Sequence, residues 1–157
     1  MDERTFWAFA GQVWNVACVR ESLLRWQDEK NIDVIFLLFA CWHPRRLPPS
    51  HWTFLQAGSA HWQQRVTARI RTLRRRLKRH AWAEGYQACL NLESQAERMA
   101  AAWLCLVSVG SSTHPGAAPN LVQRLHRLFP TVPRVELQAV LDTCALIPQQ
   151  SGRNRRP

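Results

Sequence analysis

Apolar residues recur every three or four positions along most of this chain, and the strict alternation of a half-buried strand does not occur. The segment TFWAFAGQVW predicts a first helix, with Thr5 or Asp2 as its cap. Asn15 is placed to cap a second, VACVRESLLRWQDEK, where Val16, Val19, Leu23 and Trp26 form one apolar stripe. Asn31 or Asp33 then opens a third, Val34 to Trp42. That segment is apolar on nearly every side, so it belongs at the centre of the fold. It is far too short to cross a bilayer.

HPRRLPPS interrupts the pattern with three prolines in six residues. Ser50 is placed to cap HWTFLQAG. A long basic helix is predicted from about Ser59 to about Ala83, and another long helix from about Glu84 to about Val107. GSSTHPGAAP has the composition of a loop. Asn120 to Phe129 and Val135 to Leu146 predict two short final helices on either side of PTVP. The expectation is an all-α single domain over residues 1–147, a bundle of about six or seven helices around the central apolar one. A disordered basic tail is expected over residues 148–157.

Charge changes this picture at one place. The chain of 157 residues carries a net +10, yet residues 65–79 alone hold eight cations and no acid. Setting these and the three arginines of SGRNRRP aside leaves ten cations against eleven acids. Attraction for a polyanion therefore resides in one helix and a tail. On a helical projection Trp62, Val66, Ile70, Leu73 and Leu77 form the stripe that should pack inward. Arg69 and Arg76 flank that stripe, and Arg74 borders its other side. Arg71 and Lys78 lie further round, with Arg75 and Arg79 outward. This geometry makes Arg71, Arg74, Arg75, Lys78 and Arg79 the candidate anion-binding set, beside which Trp82 could stack.

The following helix supplies acids. Cys89, Ala96, Met99, Trp103 and Val107 make one apolar line, and Tyr86, Leu90 and Leu104 a second. Glu93 and Glu97 sit along that second line, four residues apart. Carboxylates at the margin of an apolar face need a cation or donors, because unpaired burial is costly. Glu93 and Glu97 are thus expected to brace the two long helices through Arg69 and Arg76. A paired-carboxylate metal or acid–base site is the alternative, but a di-iron bundle wants Glu-x-x-His on two helices and no such pair exists.

Other chemistry finds no constellation. The six histidines show no HxxxH or HExxH spacing, and the five scattered cysteines show neither CxxC nor a zinc-ligand pattern. Cys41 and His43 are close in CWH, but helical positions two apart diverge. No phosphate-cradling glycine loop or GxSxG elbow occurs. No catalytic residue, metal site or cofactor is assigned. The N-terminus MDERTFWAFAG is acidic at its start and lacks a long apolar run, unlike a signal peptide. With reduced thiols, these features place the protein in the cytoplasm.

FWAFA, WQDEKNIDVIFLLFACW, LRRRLK and ESQAER, taken in this order, resemble an uncharacterised family of small proteobacterial proteins of about this length. The resemblance spans roughly Phe6 to Arg98 and implies a bacterial cytoplasmic protein with no known activity. This chain departs from the family pattern at Asn31, where a glycine is usual, and at Ile35, where Asn is. LLRWQ replaces a Cys-Leu-x-Leu-Gln run.

The functional expectation is a non-enzymatic basic module for an anionic partner, either nucleic acid or an acidic protein surface. The alternative is a small-molecule-binding or enzymatic bundle whose pocket is lined by tryptophans and holds Glu93 and Glu97. A pocket at those glutamates would favour the second, and a flat basic surface the first. No oligomeric state follows from the sequence.

Overall fold

The computed structural model describes residues 2–43, 47–109 and 121–145. The loop expected over 110–119 and the tail expected over 148–157 lie outside these residues. The architecture is all-α, and its helices are α1 (Glu3–Trp14), α2 (Ala17–Lys30), α3 (Val34–Trp42), α4 (Pro49–Trp62), α5 (Ala68–Arg79), α6 (Ala83–Val109), α7 (Leu121–Leu128) and α8 (Arg134–Ala145). A π-helical turn, Gln63–Thr67, joins α4 to α5 without a break. Counting that column as one helix gives seven among the described residues.

The core forms around α3, because it has no polar face to offer water. Phe36, Leu37, Leu38, Phe39 and Ala40 are buried in succession. Phe39 meets Phe6 of α1 and Trp52 of α4, and Phe36 meets Trp52 and Phe129. Asp33 is the cap, its Oδ1 accepting the Phe36 N–H at 3.1 Å. Asn31 instead ends α2 in the left-handed region, at φ 52°.

Asp2, whose Oδ1 accepts from the Arg4 N–H, caps α1. Two expected caps are corrected. Asn15 closes α1, and α2 starts after Val16 with no side-chain cap. The fourth helix starts at Pro49 and not after Ser50, since proline at the first position gives up an N–H that had no partner anyway.

The expected break between HWTFLQAG and the basic helix is absent. Gly58 lies inside α4, where the Trp103 indole packs so closely that an added Cβ would come 2.2 Å from Cη2. Its small size serves helix contact there and does not end the helix. The α5–α6 hairpin turns at Ala81, at φ 53°, with the Trp82 N–H donating to the Leu77 carbonyl. On the far side Glu136 of α8 accepts from Trp26 Nε1 at 2.7 Å and Arg25 Nη2 at 2.8 Å, tying the last helix to α2.

Candidate functional site

The π turn decides which face of the basic helix looks inward. Trp52, Leu55 and Ser59 mark the buried side of α4. At about 100° per residue an uninterrupted α-helix would carry that side on to Val66, Ile70 and Leu77. The wider π turn absorbs an extra residue, so everything after it is rotated back by about one position. The buried line now runs through Gln63 and Thr67 to Arg71, with Leu73 half exposed.

This rotation corrects the expected partners of the acids. Arg71 Nε donates to Glu93 Oε1 and its Nη2 reaches Glu97 Oε1 at 3.2 Å. Arg74 Nε donates to Glu93 Oε2 at 2.7 Å, and its guanidinium lies over the Tyr86 ring. Arg69 and Arg76, the expected brace, are exposed on the opposite side. Arg71 and Arg74, expected to serve an external anion, are held internally. Arg75 meets Asp28 of α2 at 3.0 Å on the surface, while Lys78 and Arg79 are exposed. Trp82 is exposed but lies against Gly85, where a Cβ would come 2.7 Å from its Cδ2.

Beside this ion cluster a cleft of about 530 Å³ opens between α1, α2, α3, α5 and α6. Trp7, Trp14, Leu24, Ile35, Leu38 and Leu90 give it apolar walls. Arg71, Arg74, Glu93 and Glu97 form one polar side, with Ser94 beside them. Ile35 of α3 also lines this cleft.

Electrostatics single out Glu97. Both oxygens of Glu93 are occupied by guanidinium groups and its side chain is only 10% exposed. Glu97 is 30% exposed and accepts only from Arg71 among the described residues. Burial pushes its pKa up, Arg71 opposes this, and the charges of Glu93 and Asp33 add to it. Asp33 lies behind the cluster, its Oδ2 accepting from Ser59 Oγ at 2.6 Å. Burial likewise pushes the Asp33 pKa up, against its hydrogen bonds with Ser59 and the α3 N–H groups and the charge of Arg71. Three carboxylates thus share two guanidiniums, and the cleft-facing Glu97 carries the excess.

The remaining candidates stay apart. His43 packs among Phe39, Trp42 and Trp52, and neither it nor Cys41 lines the cleft. No group of three metal-ligating side chains exists among the described residues. No helix there is long and apolar enough to cross a membrane.

The sequence placed Glu93 and Glu97 on the right line of α6 but had no signal for the π turn, and so paired them with the wrong arginines. Asp33 and Ser59 were assigned only as a cap and a helix start. Two short polar side chains on otherwise buried lines are the pattern that could have joined them.

In a comparison with known families, the one described as protein of unknown function (DUF2390) matches residues 5–104, which include every residue of the ion cluster. No curated protein and no solved structure matches the chain.

Proposed function

For this chain, which belongs to the DUF2390 family, we propose that the cleft binds a small molecule with an apolar body and a head group that donates to Glu97. The carrying observation is the coincidence of a pocket-sized apolar cleft with an accessible carboxylate in excess of its internal partners. Trp7 and Trp14 offer broad faces to a ring or alkyl body. An ammonium head suits the excess charge best, and a hydroxyl can also donate. The reading is binding and not turnover, because Glu93 is fully engaged and the Ser94 hydroxyl in the cleft has no histidine among the lining residues to activate it. A bacterial cytoplasmic setting goes with this proposal, and the reduced thiols of Cys18, Cys89 and Cys105 favour it.

Three probes with one body and different heads test it: 2-phenylethylamine, 2-phenylethanol and phenylacetate. Amide chemical shifts of Ile35, Leu38 and Leu90 should move with the amine, less with the alcohol and least with phenylacetate. Glu97→Gln should remove the preference for the amine, and Ile35→Trp should block all three. No movement of those amides by any probe would sink the binding reading. A preference for phenylacetate would instead assign the head to Arg71 and Arg74.

A further inference from the structure

The outer face of α6 carries a pattern that the cleft does not use. Ala88, Leu92, Gln95, Met99, Ala102 and Leu106 alternate four and three residues apart, and five of these six are apolar. They point away from the buried line of Cys89, Glu93, Ala96 and Leu104. Leu92 is 50% exposed, Met99 60% and Leu106 75%. A sustained 3.5-residue apolar repeat is how a helix presents a seam to another helix. The same π turn that brings Arg71 inward turns Leu73 out to 49% exposure on the neighbouring helix, beside half-buried Ile70 and Leu77. Two adjacent helices thus expose apolar surface that a lone globule normally covers.

The borders of this surface state the chemistry of its occupant. Arg69 and Arg76 stand exposed on the α5 side, where Leu73 lies between them in sequence. Arg98 stands on the α6 side, adjacent to Met99 and over the Trp7 ring. From Leu92 to Leu106 the acids of α6, Glu93 and Glu97, both face inward to their arginines. An apolar centre between cationic borders matches an amphipathic helix with leucine-like residues along one line and carboxylates on both flanks. A second copy of this chain would bring like charges against these borders, since its own net charge is +10. A nucleic acid would pair with the arginines but find no aromatic face on the line from Leu92 to Leu106 itself, where bases would need one.

We propose that the α5–α6 outer seam, centred on Met99 and Leu73 and bordered by Arg69, Arg76 and Arg98, docks an acidic amphipathic helix of another protein. None of these five residues lines the cleft.

The test uses the full chain and a fluorescein-labelled 21-residue helical peptide with leucines at heptad spacing and glutamates on both flanks. A scrambled peptide of equal composition, a lysine-flanked peptide and a single-stranded RNA serve as controls. Binding to the glutamate peptide should exceed the scrambled one at least tenfold and weaken as salt rises. Met99→Gln with Leu73→Gln should reduce it about tenfold while leaving the denaturant melt unchanged, since both residues are exposed. Arg69→Glu with Arg76→Glu should shift preference to the lysine-flanked peptide. Equal binding of scrambled and ordered peptides overturns the proposal. RNA binding that survives the Met99 and Leu73 changes, with no preference for the ordered peptide, assigns the arginines to nucleic acid instead. Sedimentation as a dimer that Met99→Gln dissociates gives the seam to a second copy and equally overturns it.

Discussion

Arg71 bridges Glu93 and Glu97, the first contact through its Nε and the second through Nη2 at 3.2 Å, and so ties α5 to α6 at two consecutive turns. Glu93 is held from its other oxygen by Arg74, so one carboxylate is clamped between two guanidinium groups inside the bundle. Removing it strands the largely buried Arg74 and leaves Arg71 with Glu97 alone. Glu93→Ala should therefore cost about 3–5 kcal/mol in a denaturant melt. By contrast, the Arg75–Asp28 pair is about 60% exposed on both sides, and Asp28→Ala should cost about 0–1 kcal/mol. Similar losses from the two changes would mean that the cluster is solvated in solution.

The π turn and the extra residue it absorbs belong together. Deleting the exposed Gln64 removes that residue, so the column can run as an uninterrupted α-helix while Arg71 and Arg74 keep their inward facing. The deletion variant should therefore lose less stability than Glu93→Ala does, as read by the same melt. A deletion variant that loses as much as Glu93→Ala would show that the facing of α5 does not follow from the extra residue.

Asp33 and Glu97 make a pH prediction whose sign follows from their raised pKa values. In the window between the ordinary carboxylate value and the higher folded value, the folded protein holds more protons than the unfolded chain. Their contribution to stability is full below that window and is lost as pH rises through the folded pKa. Asp33→Asn combined with Glu97→Gln should flatten this part of the profile. Asn keeps an oxygen for the Phe36 N–H, so the cap is retained. Urea midpoints at pH 4, 5, 6 and 7 measure it, and a wild type that loses stability relative to the variant on acidification would contradict the assignment.

Leu37 tests the centre of the fold. It is 1% exposed on α3, away from the cleft. Leu37→Ala should cost roughly 2–5 kcal/mol by loss of transfer energy and the cavity left behind. A cost under about 1 kcal/mol would mean that α3 is not packed on all sides.

Thiol labelling separates the cysteines. Burial pushes the Cys105 thiol up to about 11, with the charge of Glu3 adding to the effect. Cys18 is exposed. Iodoacetamide at pH 8 should alkylate Cys18 well before Cys105 in the folded protein, as followed by mass spectrometry, because the thiolate is the reacting form. Labelling of both at the same rate would place Cys105 in water.

The periodicity of the chain alone established the helical class and the central position of α3. Both rest on local properties: a 3.6-residue repeat, capping side chains such as Asp2 and Asp33, and a run with no polar face. The same periodicity put Glu93 and Glu97 on one line of α6, since no bulge interrupts that helix. It misassigned the basic helix because the phase of a helix past a π turn is not a local property. A turn of that kind gives up regular α-helical bonding at one point. What can offset this is tertiary: the Trp103 ring on Gly58, the Trp62 indole donating to the Ala96 carbonyl at 3.0 Å, and two arginines meeting acids on a different helix. Only the assembled fold could therefore decide that Arg71 and Arg74 face inward, that Leu73 faces out, and that a cleft ends at Glu97.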